Sequence, residues 1–462
     1  MPAAPHASRT TLGSALIERR RKDNGHTMAY LRISPDCLLD RTTQEAVLYD
    51  IENQRMFLLD GNASQFLADC EDNMPIELAA LEPQTRDFVR WLTAERLAFF
   101  ENAPAFVDPL LNHSPLKMFG LAAKKPVYGQ IDFVITRDCG RSCSFCPADE
   151  PTYSEQGCLT CLRRPASTAP LPQPYEAWTE QACSLGFKRI HVRGGDPFHD
   201  VATLLKLLAV VERHPDVLML ITTPFPGTSV EDILRLGAHR QVHLNVVLVD
   251  PPSDPCGETT RQLLPAVQAA RIAFSITALL SAPSVGAEEE LLRWSLKTLG
   301  RKPRIAKLHT PGEATVPTSG TAPKKRLSRW QSRDEFWARV DQSSCLNGRL
   351  QISEDGSVRP CVSIHGDCGS IGHQGLTGFL RLPELYTWWE RNKNECAPCL
   401  RCGARYACGE CLSTLLPEHD ANPSCGYDPA SHRLVDGSWS HDGFVHKIRL
   451  TGKDSDPICV IA

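Results

Sequence analysis

A chain of 462 residues is too long for one ordinary domain and predicts two to four. Its 42% hydrophobic and 23% charged content suits a globular protein, and its net charge of -4 leaves no basic footprint for nucleic acid. No apolar run is long enough to span a bilayer, so no membrane partner is expected. Residues 1–27 lack the apolar core of a secretory signal, which makes the cytoplasm the expected location. They carry Arg19-Arg20-Arg21-Lys22 among small polar residues and read as a disordered tail. The 19 cysteines are the outlying number, and in a reducing compartment dense cysteines usually hold metal. The ending Cys459-Val460-Ile461-Ala462 matches a prenylation box on paper and is read as coincidence.

Residues 28–103 read as a separate module. The runs from Glu45 to Asp50 and from Arg55 to Leu59 predict a hairpin around Glu52-Asn53. A helix follows, with Asn62 as its expected N-cap and Phe66 on its apolar face. Phe88, Val89, Trp91 and Leu92 predict a second helix, and Leu97 to Phe100 a wing strand. Hairpin, two helices and wing resemble the winged-helix domain that recognises leader peptides of ribosomally made, modified peptides. The phrase Leu58-Leu59-Asp60-Gly61-Asn62-Ala63-Ser64 resembles that family's "LN-x-T/S" stretch, with Asp60 and Gly61 as insertions. A DNA-binding winged helix is the alternative, and the lack of a basic helix face counts against it.

Residues 126–317 alternate apolar strand-like runs with helical patterns. The strand-like runs start at Gln130, Arg189, Val217, His243, Ile272 and Ile305, and helical patterns start at Val201, Val230 and Glu288. Such alternation predicts a parallel α/β sheet, here a partial barrel, with functional residues at the carboxyl ends of the strands. After the first strand comes Cys139-x3-Cys143-x2-Cys146, with Phe145 just before the last cysteine. Three thiolates on one loop can hold three irons of a four-iron cluster and leave the fourth open; a zinc knuckle is the other reading of the triad alone. After the second strand comes Gly194-Gly195-Asp196-Pro197, whose glycines allow close backbone approach to a ligand. On the fourth strand, His243 and Asn245 alternate with Leu244 and Val246, as site-facing or as satisfied core polar residues.

The cysteine loop and the glycine turn together resemble the radical S-adenosylmethionine (SAM) superfamily, with Asp196 where that family's "GGEP" has Glu. The resemblance implies that Cys139, Cys143 and Cys146 carry a [4Fe-4S] cluster whose open iron is chelated by SAM. It also implies that exposed carbonyls of Gly194 and Gly195, with the Asp196 carboxylate and the Pro197 turn, receive the amino group of SAM. His243 and Asn245 would contact its ribose or carboxylate.

Residues 333–425 hold a second constellation: Cys345, Cys361, Cys396, Cys399, Cys402, Cys408, Cys411 and Cys425. The spacing resembles the SPASM domain, which carries two auxiliary iron–sulfur clusters; zinc sites are the alternative. Here two residues rather than three separate Cys408 from Cys411, and Cys396 stands ahead of the usual run. Carried over, Cys345, Cys361 and Cys411 would hold one [4Fe-4S] cluster, with Cys396 or Cys368 as candidate fourth ligand or the fourth position open to substrate. Cys399, Cys402, Cys408 and Cys425 would hold the other. Cys158 and Cys161 lie in a Pro-rich insertion without an assigned role, and residues 426–462 read as a C-terminal tail.

Together the resemblances imply an enzyme with three [4Fe-4S] clusters and SAM, fed by a flavodoxin or ferredoxin-type donor. It would use a 5′-deoxyadenosyl radical to modify a precursor peptide held by its leader, installing a C–C, C–O or thioether crosslink. The alternatives are an anaerobic sulfatase-maturase-like protein oxidase and a non-enzymatic cysteine-rich metal or electron-transfer protein. The latter leaves Gly194-Gly195-Asp196-Pro197 unexplained.

Overall fold

The computed structural model describes residues 29–41, 46–105, 128–140, 153–154, 173–249, 255–280, 287–309 and 327–343. It also describes 345–361, 364, 368–372, 375–409, 427–428, 433–434, 444–448 and 450. These fall into two compact units, one within residues 1–110 and 443–462, the other within 111–442.

In the first unit, β1 (Tyr30–Ile33) pairs antiparallel with β5 (Ala98–Glu101). β2 (Cys37–Arg41), β3 (Ala46–Asp50) and β4 (Arg55–Leu59) form an antiparallel meander. The predicted hairpin is therefore present, and its turn is tied by Asp50, whose carboxylate accepts from Asn53 N at 3.1 Å and Arg55 Nε at 2.9 Å. The helices Gly61–Glu71 and Pro83–Ala94 follow. Asp60, not Asn62, caps the first: its Oδ1 accepts from Ala63 N at 2.9 Å. Asn62 lies inside that helix. Phe57, Leu67, Phe88, Val89 and Leu92 pack into the module's own core.

A further strand, β17 (Val445–Ile448), lies parallel to β4 and completes the order β17-β4-β3-β2. It falls inside the stretch expected to be a tail. Nothing in its short local pattern names a partner almost four hundred positions away, and its pairing exists only through the fold.

The second unit is built on a nine-stranded sheet. Six parallel strands run in chain order: β6 (Gln130–Thr136), β8 (Arg189–Gly194), β9 (Leu218–Thr223), β10 (Val242–Val249), β11 (Ala273–Leu280) and β12 (Arg304–His309). A two-residue strand β7 (Tyr153–Ser154) pairs antiparallel with β12. Helices Tyr175–Leu185, Val201–Val211, Val230–Leu236, Pro255–Ala269 and Ala287–Leu299 alternate with the strands. Period-two alternation sorts the strands' residues onto two faces. Ile131, Phe133, Ile190, Val192, Met219, Ile221, Leu244 and Val246 pack with Trp178, Leu204 and Leu208 of the helices. The opposite positions carry Asp132, His191, Thr222 and Asn245, all buried.

The sheet does not stop at the strands expected for it. β13 (Arg349–Ile352), between Cys345 and Cys361, pairs parallel with β6, and β14 (Val358–Arg359) returns beside it. The start of the cysteine-rich region is thus part of the same sheet. Two ion pairs fasten it: Arg349 Nη2 lies 3.0 Å from Asp132 Oδ2, and Arg137 Nε lies 3.0 Å from Glu354 Oε1. The remaining described strands, β15 (Tyr427–Asp428) and β16 (Arg433–Leu434), pair with each other.

Asp132 is fully buried and Arg349 is the foremost of the groups that hold it ionised, so removing Arg349 leaves its charge under-compensated, at a cost of up to about 3–5 kcal/mol. Arg349→Met is therefore expected to lower the urea-unfolding free energy by about that amount. Asp132→Asn added to Arg349→Met is expected to recover part of it, because the uncompensated charge goes with the partner.

Candidate active site

The two loops singled out by sequence meet at one end of adjacent parallel strands. β6 leads into Cys139, which is 7% exposed, and β8 leads into Gly194-Gly195-Asp196-Pro197. The backbones are joined directly: Gly195 N donates to Thr136 O at 2.9 Å, and Asp196 N donates to Asp138 O at 2.6 Å.

This contact explains the glycines. A Cβ on Gly195 would sit 2.1 Å from Asp138 O, and one on Gly194 would sit 2.1 Å from Thr136 O. Gly194 also has φ +133, which side chains rarely adopt. Among the described residues, the close approach is to the backbone of Thr136 and Asp138.

Asp196 is bonded within its own surroundings. Its carboxylate is fully buried: Oδ1 accepts from Thr223 Oγ1 at 2.8 Å and Phe198 N at 3.2 Å, and Oδ2 accepts from Gly227 N at 2.9 Å. It caps the short 3-10 turn Pro197–Asp200 and ties it to the turn that follows β9. Burial raises its pKa, while the Gly227, Thr223 and Phe198 donors oppose that rise. With both oxygens engaged in this way, Asp196 shapes the loop. Pro197 and Phe198 are buried beneath it.

His199 follows, exposed, beside the loop. A Cβ on Gly140, the residue after Cys139, would stand 3.6 Å from His199 Nε2, and Gly140 has φ +65. Cys143, Phe145 and Cys146 lie outside the described residues, as do Cys158 and Cys161.

The polar face of the sheet carries a continuous hydrogen-bonded row that sequence reading found only at its far end. His191 Nδ1 lies 2.9 Å from Asp132 Oδ1, and Gln130 Nε2 donates to the same oxygen at 2.6 Å. His191 Nε2 lies 2.8 Å from Thr222 Oγ1, which accepts from Asn245 Nδ2 at 3.3 Å. Asn245 Oδ1 accepts from Thr277 Oγ1 at 2.9 Å and Ser275 Oγ at 3.2 Å. His243 Nε2 lies 3.0 Å from the Ser275 hydroxyl. His243 and Asn245 thus share this row with Ser275. Within it, Asn245 is a satisfied polar residue.

The charges along the row follow from burial. Desolvation works against an ionised Asp132, but Arg349, His191 and Arg193 outweigh it and hold the carboxyl below the usual range. Burial pushes the His191 imidazole down to about 4, although Asp132 pulls the other way. A neutral ring that donates from Nδ1 to Asp132 and accepts at Nε2 from Thr222 fits these two contacts, a tautomer assigned from the two partners. The sequence did hold a signal for these residues. Ile131-Asp132-Phe133 and Ile190-His191-Val192-Arg193 put ionisable groups at alternate positions of strands buried on both faces.

In the C-terminal region, Cys361, Cys396 and Cys399 pack in one cluster with Leu346 and Ile364. Burial pushes the Cys399 thiol up; Lys393 opposes this, and Cys408, Cys402 and Cys396 add to it, so these thiols lie within electrostatic reach. Cys345, Cys368 and Cys408 are part-exposed, and Cys411 and Cys425 lie outside the described residues. Among the described residues, no three His, Cys, Asp or Glu groups already stand in metal-holding geometry. The chemistry of the donor set, all sulfur, suits zinc or iron–sulfur clusters.

No family model matches the chain, and no curated protein matches it in sequence. Among solved structures, SuiB of Streptococcus suis bound to S-adenosylmethionine is similar at 16% identity, covering 83% of this chain and 96% of that one, with a TM-score of 0.45. Native anSMEcpe with bound AdoMet is similar at 10% identity, covering 64% and 93%, with a TM-score of 0.40. BtrN in complex with AdoMet is similar at 13% identity, covering 61% and 93%, with a TM-score of 0.35. Likeness this distant assigns nothing.

Two outcomes follow from the geometry. Gly195→Ala is expected to force the backbone around Asp138 away from β8 and speed the reaction of Cys139 with a thiol reagent, with helix content by circular dichroism unchanged. Gly129→Ala, whose Cβ would meet nothing within 4 Å, is the matched control. The second concerns pH. The unfolded chain takes a proton on His191 below about 6.5, which the folded chain refuses until about 4. Stability is expected to fall as pH drops through that window, by up to about 1.4 kcal/mol per unit from this group. Urea titrations at several pH values should show a shallower fall in His191→Asn.

Proposed function

We propose that this protein is a radical SAM enzyme that modifies a ribosomally made precursor peptide, most simply by closing an intrapeptide crosslink. The observation that carries the reading is the backbone junction of Gly195 and Asp196 with Thr136 and Asp138, which puts Cys139 and the Gly-Gly-Asp-Pro turn at one end of a parallel sheet. Neither motif is specific alone. A zinc knuckle gives no reason for a second, glycine-dependent loop to be fastened to the first.

Cys139, Cys143 and Cys146 would hold the SAM-binding cluster, and the Gly194 and Gly195 carbonyls would receive the amino group of SAM. Asp196 would hold those carbonyls in place through Thr223 and Gly227. When bound and reduced, the cluster supplies one-electron cleavage of the sulfonium bond of SAM. The row from Asp132 to Thr277 would set a fixed polar wall below the ligands. The cysteines from 345 to 425 would hold two auxiliary clusters, and a flavodoxin or ferredoxin-type donor would supply electrons. The first unit, with its own core and an edge suited to extended chain, would capture the leader. A protein oxidase of the sulfatase-maturase kind needs no such unit.

Anaerobically reconstituted protein is expected to carry about 12 irons at four per cluster, and about four fewer when Cys139, Cys143 and Cys146 are all Ala. Cys143→Ala is expected to abolish 5′-deoxyadenosine formation. Cys399→Ala should retain SAM cleavage yet yield no modified peptide by mass spectrometry. Stoichiometric zinc without iron, or reductive SAM cleavage by Cys143→Ala, would overturn the reading.

A further inference from the structure

The outer edge of β4 is the natural place for an extended peptide to add to the first unit, and the chain's own C-terminal segment already lies there. β17 runs parallel to β4, with His446 opposite Phe57 and Ile448 opposite Leu59. Met56 N donates to Phe444 O at 2.9 Å, and Asp60 N donates to Ile448 O at 3.0 Å. The grip continues past the strand. Leu450 N donates to Asp60 Oδ2 at 2.7 Å, and Asn62 Nδ2 donates to Leu450 O at 2.9 Å.

Asp60 therefore has two tasks. One carboxylate oxygen caps the helix Gly61–Glu71, and the other, with the Asn62 amide, takes the main-chain N–H and C=O of a single incoming residue. These groups read backbone, not side chain, so any extended segment can satisfy them. Side-chain selection lies at alternate positions. The His446 ring stacks on Phe57 at 5.0 Å between centroids, and Ile448 and Leu450 enter the module core. The rest of that core comes from residues 31–98.

Strand addition of this kind draws affinity from main-chain bonds and specificity from alternate side chains. A tethered segment meets such an edge at high effective concentration and excludes a diffusing competitor of equal intrinsic affinity. We propose that residues 444–450 are a built-in competitor: an extended peptide with apolar residues at alternate positions docks on β4 by displacing them. In the function proposed above this peptide is the precursor's leader, and for that identity alone the inference rests on that reading.

The test uses a fluorescent heptapeptide with the sequence of residues 444–450 and reads anisotropy. Three proteins are compared: the full chain, the chain ending at 442, and the full chain with Ile448→Asp, which unseats the strand without removing it. Both altered proteins are expected to bind at least about tenfold more tightly than the full chain. Asn62→Ala in the shortened chain should weaken that binding several-fold. Equal binding by all three, or no binding by either altered protein with its thermal melt intact, would overturn the inference. Loss of the module's fold in both would make the segment purely structural and overturn it equally. Neither iron nor SAM enters the readout, so failure here is distinct from failure of the radical chemistry.

Discussion

Two backbone hydrogen bonds, Gly195 N to Thr136 O and Asp196 N to Asp138 O, set the arrangement on which the site depends. They require main chain to approach main chain more closely than any Cβ allows, since 2.1 Å from an added Cβ to a carbonyl oxygen is well inside contact distance. Glycine is therefore demanded by packing of loop on loop. Asp196 then stabilises the turn from below, through donors on β9, on the turn after it and on its own turn. The fully buried carboxylate is tolerated because both oxygens are satisfied, in keeping with the cost of leaving such a group without partners.

The sheet beneath is amphipathic in a different sense from a surface strand. Both faces are buried, but one is apolar and packs on helices, while the other carries the row from Gln130 through Asp132, His191 and Thr222 to Asn245 and Thr277. A polar row of this kind costs little when every member is satisfied, and it gives the strands a register that apolar packing alone would leave loose. Arg349 extends the row to β13 and brings the cysteine-rich region into the same sheet. Whatever that region binds is thereby placed relative to β6, the strand that leads to Cys139.

The first unit solves the problem of an exposed sheet edge by covering it with a distant piece of its own chain. Asp60 and Asn62 make that cover specific for backbone. They also give the Asp60 insertion in the family-like phrase a physical role: Asp60 caps the helix and receives Leu450.

What the sequence determined by itself is what short-range spacing can encode. Period-two and period-3.6 patterns placed the six parallel strands β6 and β8 to β12 and several of the helices, because each pattern depends on neighbouring residues alone. The spacing of Cys139, Cys143 and Cys146 likewise belongs to a single loop. Tertiary structure decided the rest. β13 joins β6, and β17 joins β4, through ladders whose partners are hundreds of positions apart and whose short segments carry no local sign of them. Asp196 turned inward because its donors, Thr223 and Gly227, reach it only once β9 lies beside β8. His191 became neutral because burial beside Arg193 and Arg349 outweighs the pull of Asp132. Hydrogen-bond partners and desolvation are properties of the folded neighbourhood, and no residue carries them before that neighbourhood exists.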